Sequence, residues 1–211
     1  MTQELLAELT DCEANRLRKW GSLWLDLLQV DMALHERAKL PNSLATTITR
    51  RALWESAVIS YGRMGFSDVR NLEYEELLET VSGDSAKAFH AQVMGWRHGH
   101  VAHRTDKAYE ETATVAQYAD GNSTDPEALN LLISTWVGPD DESPLAHQFR
   151  DHANKLRVVL WEKYLAPIGE RVVNRHCAAT TPAPPFAGFK TEAERLVATC
   201  TLWARSNGTG I

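Results

Sequence analysis

The chain has 211 residues, 44% of them hydrophobic and 24% charged, enough to bury a sizeable core in one main domain. A net charge of −6 excludes a general electrostatic grip on nucleic acid, which depends on phosphate neutralisation. Widely spaced Cys12, Cys177 and Cys200, an acidic amino terminus and the lack of any ~20-residue apolar run argue against a disulfide framework, a signal peptide and a membrane span, and predict a cytoplasmic protein.

From Thr2 to about Leu40 no proline intervenes, and Leu6, Leu9, Leu17, Trp20, Trp24, Leu27, Leu34 and Ala38 follow steps of three and four residues. That pattern predicts one amphipathic helix, bent if anywhere at Gly21. After Pro41, Asn42 and Ser43 are good caps for a second helix reaching about Met64 and stopped by Gly65. Its middle, ALWESAVISY, is apolar nearly all round, so it should be central, with Glu55 in need of a partner.

A short helix near Tyr74 to Val81 leads to Ser82, Gly83 and Asp84, which cap a third long helix. Phe89, Val93 and Trp96 form its inward stripe, which in regular register continues to His100 and His103, whereas His90, Arg97 and Arg104 share another face. ETATVAQYAD and LNLLISTWVG are rich in β-branched and aromatic residues around the turn-prone GNSTDPEA, which predicts a small β-hairpin within 111–138. A helix over Pro126 to Thr135 is the competing arrangement, because Asp125 and Pro126 make an acceptable helix start.

Ser143 and Pro144 open a further helix, with Phe149, Ala153, Leu156, Leu160 and Tyr164 on one face, to about Leu165, and Pro167 should break or kink it. ATTPAPPFAGF is a proline-rich connector, and TEAERLVATCTLWARS reads as a last amphipathic helix packed on the domain or on a second subunit. The domain boundary therefore falls between 1–177 and 178–211. The fold class is mainly α, a helical bundle with a small hairpin insertion. Seven tryptophans spread along the whole chain read as core or interface anchors.

One segment carries the residue types for chemistry: Trp96 to Asp106, WRHGHVAHRTD. His98, His100 and His103 lie within six residues, flanked by Arg97 and Arg104 and followed by Asp106. Histidine exchanges protons near neutral pH, and arginine holds a phosphate bidentately and offsets developing charge. A metal site built on His100 and His103 with His90, His98 or Asp106 competes, although HxHxxH is not a standard zinc spacing. His147 and His152, five apart on another helix, read as solvent-facing or structural.

Arg97, the polar His98 directly after it and His103 after five intervening residues resemble the motif of the HEPN superfamily, an arginine and a histidine four to six residues apart. HVAHRTD is similar to the AH-any-D phrase of abortive-infection-associated bacterial members, and ISYGRMGF resembles the helix that precedes the motif helix. The resemblance implies a HEPN-like helical bundle that forms a homodimer, with activity as a metal-independent RNA endonuclease, a toxin or phage-defence effector, needing no cofactor. It implies that Arg97 binds the scissile phosphate, His103 acts as general acid or base, and His98 supports them. His100, Arg104 and Asp106 would then border the substrate. An antitoxin or another protein partner fits the same picture, and a membrane does not.

Helical geometry adds a condition. At about 100° per residue, Arg97 and His103 point in different directions on one regular helix. Either the helix ends near Gly99 or the two residues meet across a dimer. Two other readings compete: structural histidines at a helix end, where the dipole favours imidazolium, and a non-catalytic helical module for dimerisation or protein interaction. There is no P-loop, GxGxxG, GxSxG elbow or paired ExxH motif.

Overall fold

A computed structural model describes residues 6–65, 72, 74–103, 108–118, 126–177 and 184–188. The fold is mainly α with one small two-stranded antiparallel sheet. In chain order the elements are α1 (Cys12–Lys39), α2 (Thr47–Gly62), α3 (Tyr74–Ser82), α4 (Asp84–Trp96), β1 (Glu110–Tyr118), β2 (Pro126–Thr135), α5 (Pro144–Leu160) and α6 (Ala166–Cys177). A 3-10 turn (Arg63–Gly65) follows α2, and two π-turns, Arg97–Ala102 and Trp161–Leu165, follow α4 and α5. The expected last helix at TEAERLVATCTLWARS lies outside the described residues.

α1 starts later than its apolar periodicity predicts. The Asp11 carboxylate accepts hydrogen bonds from the Glu13 and Ala14 amides and so fixes the N-cap. The residues before it are extended instead: Ala7 pairs with Pro185, the Glu8 amide donates to the Pro184 carbonyl, and the Phe186 amide donates to the Leu6 carbonyl. Acidic residues at the head of α1 meet the basic last turn of α6, as both helix dipoles favour. Arg175 reaches Asp11 (3.1 Å) and Glu13 (2.6 Å), Arg171 reaches Glu13 (2.9 Å) and His176 reaches Asp11 (3.0 Å). Gly21 stands inside the uninterrupted helix.

α2 also begins later than its candidate caps Asn42 and Ser43 allow, with Thr46 at the N-cap, because Ser43 to Thr46 form a turn in which the Ser43 carbonyl accepts from the Thr46 and Thr47 hydroxyls. Trp54, Ala57, Val58 and Tyr61 are fully buried, which makes this helix the centre of the bundle. Trp54 sits in an aromatic cage of Trp96, Trp136 and Phe149 with ring centroids 5.2, 5.5 and 5.6 Å away. Gly138 closes that cage. Its φ of +95° suits glycine, and a Cβ there would lie 2.8 Å from Trp54 Cγ.

A charged cluster sits within this apolar frame. Asp141, in the segment between β2 and α5, pairs with both Arg37 at the end of α1 and Arg50 at the start of α2. Arg37 also donates to the Pro139 carbonyl (2.7 Å), and Arg50 donates to the carbonyls of Arg37 (3.0 Å) and Leu40 (2.8 Å). Both arginines are buried, so one carboxylate is shared by two desolvated cations and backbone carbonyls meet other guanidinium donors.

Deeper in the core, the Tyr61 hydroxyl joins His90 Nδ1 (3.0 Å) and His152 Nε2 (2.8 Å), tying α2, α4 and α5 together. Burial pushes the His152 imidazole down to about 4, with the adjacent His90 adding to the effect, and burial also lowers His90.

The 126–135 stretch is a strand, so the competing helix is ruled out there. Thr112 lies opposite Ile133, Thr114 opposite Leu131 and Ala116 opposite Leu129, with a register irregularity at Gln117/Tyr118. Further on, α5, the second π-turn and α6 run on through Pro167, where a break or a kink was expected: the chain does not break, and the irregularity is the π-turn just before the proline. Proline lacks an N–H and its ring crowds the carbonyl four residues back; the π-turn over Trp161–Leu165 widens the helix immediately before it and accommodates both.

Asp141→Ala leaves two buried guanidinium groups uncompensated and should cost about 3–5 kcal/mol, read as a fall in the urea midpoint at unchanged slope. His152 gives a pH signature. Its folded value lies below the unfolded one of 6.5, so its contribution is fully present above pH 6.5 and is lost as pH falls toward 4. The loss should reach roughly 3 kcal/mol, and His152→Gln should flatten that part of the stability profile relative to wild type.

Candidate functional site

The motif segment begins where α4 stops being an α-helix. Phe89, Val93 and Trp96 are buried as the stripe predicts, and His100 continues it at 0% exposure. His103 does not: it is exposed. The reason is the π-turn over Arg97–Ala102, whose i to i+5 closure inserts extra residues per turn and shifts the phase of everything after it.

That wider turn brings residues five apart onto one side. The His98 and His103 rings lie parallel within 11°, with centroids 6.4 Å apart, and both side chains are exposed. A regular α-helix would separate them. His103 itself ends the turn with φ −126° and ψ −12°. The α-helix gives way at Arg97 and the π-turn runs on through Gly99 to Ala102, so the chain stays helical past Gly99, and the pair it brings together is His98 with His103.

Arg97 opens the same turn and is half-buried. Its side chain lies across α2 at Gly62, where a Cβ would fall 2.2 Å from Arg97 Cδ and 2.7 Å from Nε. Glycine at 62 is thus the space the arginine occupies. Gly62 escaped the sequence reasoning; its place in ISYGRMGF, at the end of α2, was the signal available.

His100, expected to border the substrate, is fully buried and is corrected to a structural residue. Its Nε2–H donates to the Trp136 carbonyl (3.1 Å), and its ring packs against Tyr109 (5.4 Å) and Trp136 (5.8 Å). Burial first, and the Arg51 charge second, lower its pKa, so the neutral ring is favoured. Nδ1 is then a lone-pair acceptor, buried with no hydrogen-bond partner among the described residues.

His100 is in effect a clamp on the root of the hairpin. The Trp136 amide donates to the Tyr109 carbonyl (2.7 Å), and the Thr135 hydroxyl donates to Glu110 (3.2 Å). Arg51 of α2 completes the root by reaching Glu110 (3.2 Å) and Glu55 (2.7 Å), which also answers the need of Glu55 for a partner. The histidine pair is thus carried by a turn braced on α2 at one side and on the hairpin root at the other.

Arg104 and Asp106, the other expected substrate contacts, lie outside the described residues. Among the described residues no group of three or more His, Cys, Asp or Glu side chains is placed to hold a metal ion. His152 is structural, whereas His147 is solvent-facing and lies 3.6 Å from Glu142. A cavity of about 440 Å³ lies elsewhere, between α1 and the region of Leu165 and Val172; Leu9, Leu17 and Trp24 line it, and no acid or imidazole is among its lining residues. No described helix is long and apolar enough to cross a membrane. No family model, curated protein or solved structure matches the chain.

The contact between Gly62 and Arg97 yields a thermodynamic test. Gly62→Ala should destabilise by about 1–3 kcal/mol through overpacking. In an Arg97→Ala background the penalty should largely vanish, and a double-mutant cycle by urea denaturation reads the coupling.

Proposed function

We propose that the chain is a metal-independent RNA endonuclease of the HEPN type, acting through Arg97, His98 and His103 in a reducing, cytoplasmic setting. The observation that supports this most is the exposed pair of imidazoles, 6.4 Å apart on one π-turn whose first residue is an arginine. Both described cysteines, Cys12 and Cys177, are free thiols, which suits the compartment.

In the reaction, the ribose 2′-hydroxyl attacks the adjacent phosphorus and the bond to the 5′-oxygen breaks, leaving a cyclic phosphate and a 5′-hydroxyl. His103 transfers one of the two protons involved, and His98 is close enough to transfer the other. Arg97 offsets the charge that builds on the phosphate oxygens. Arg104 and Asp106 flank the substrate in this reading. The resemblance extends it to a toxin or phage-defence effector held in check by an antitoxin.

A non-catalytic interaction module is the second reading, favoured by the bare aliphatic surface of β2, where Leu129 and Leu131 are 76% and 64% exposed. The assay that separates the two uses purified full chain and RNA in chelator. Cleavage should fall about 10²-fold or more in His103→Ala and in Arg97→Ala. Equal cleavage by all three proteins, or none by wild type, would overturn the nuclease reading.

A further inference from the structure

α4 begins without a side-chain cap. Gly83 stands at its N-cap with φ +54°, and the first helical bond runs from the Lys87 amide to the Gly83 carbonyl. The Ser85 and Ala86 amides ahead of it find no acceptor among the described residues. Both residues line a cavity of about 290 Å³, and the first three turns of α5, from Pro144 to Lys155, form its other wall. The positive ends of two helix dipoles thus face one cavity.

A buried imidazole lies at the bottom. His152 lines the cavity although it is only 6% exposed. Its Nε2 bonds to the Tyr61 hydroxyl (2.8 Å), whereas its Nδ1 has no partner among the described residues and, unlike His100 Nδ1, is not sealed in the core. When Nε2 accepts from Tyr61, Nδ1 carries the ring proton and donates into the cavity. Lys155 stands at the mouth, exposed and without an ion pair among the described residues, although Asp151 lies one turn before it. The Lys155 charge adds to the burial that lowers the His152 pKa, and no carboxylate acts on that ring. At the bottom of the cavity the cation prevails over Asp151.

We propose that this cavity binds a small phosphate monoester, its phosphate held by the Ser85 and Ala86 amides, the Lys155 ammonium and His152 Nδ1, and its body against Val81 and Phe89. The donors select the class. They converge from α4, from Lys155 and from the cavity bottom, and the oxygens of a phosphate meet three directions where a carboxylate meets two. Size agrees, because about 290 Å³ is at the small end of ligand sites and leaves room for a compact body beside the anion. The cavity is at the head of α4 and the histidine turn follows its foot, so binding here is read whether or not RNA is cut.

Phenyl phosphate titrated into the full-length protein at fixed ionic strength should saturate and shift the His152 and Tyr61 ring signals in NMR spectra. It should bind more tightly than inorganic phosphate, and benzoate should bind at least about ten-fold more weakly. Lys155→Met removes an exposed charge and should weaken binding about ten-fold or more with the melting curve unchanged. Ser85→Glu places a carboxylate in the first turn of α4, where the dipole favours it, so the protein stays folded while the cavity repels anions. Asp151→Asn should tighten binding. The proposal falls if phenyl phosphate does not saturate or has no advantage over benzoate or inorganic phosphate. It falls equally if binding is unaltered in Lys155→Met or in Ser85→Glu, or is weaker in Asp151→Asn.

Discussion

Asp141 holds two buried arginines that no other described carboxylate within ion-pair distance neutralises. Much of the architecture follows from that one carboxylate. Arg37 and Arg50 sit at the two ends of the α1–α2 connection, so their common partner fixes how the first two helices turn into each other. Because Asp141 lies just past the hairpin, the same contact draws residues 137–141 across the end of the bundle. That path brings Gly138 against the Trp54 ring and Trp136 into the aromatic cage. The hairpin is thereby anchored at its exit, while Glu110 and Arg51 anchor its entry.

The anchored hairpin in turn conditions the histidine segment. His100 must reach the Trp136 carbonyl while Arg97 passes over Gly62, and a regular α-helix would aim His103 elsewhere. The π-turn satisfies these demands together by adding residues within one turn. Its consequence is the exposed pair His98 and His103. Local geometry at the candidate site is thus set by tertiary contacts on both flanks.

Periodicity made α1, α3, α4 and α5 legible, since their buried faces repeat every three or four residues, and β-branched alternation made the hairpin legible. What escaped detection depends on partners far away in sequence. Asp141 sits in GPDDES, which reads as a turn, and its arginines lie 104 and 91 residues away. Tyr61 and His152 are also 91 apart. A π-turn has no composition of its own, so the stripe extrapolated through His100 was right for that residue and failed at His103. Arg97 and His103 could be singled out by type and spacing, but Gly62 becomes meaningful only once α2 lies beneath the arginine.

Histidine takes two opposed roles in this chain, and burial separates them. His90, His100 and His152 are drawn toward the neutral state by the apolar surroundings and use it as hydrogen-bonding hardware, His152 with Tyr61 and His100 with the Trp136 carbonyl. Protonating these rings costs stability, because burial disfavours their charged form. His98 and His103 instead stand in solvent, on a turn whose position is secured by other residues. His90, His100 and His152 thus belong to the frame on which the exposed outer pair stands.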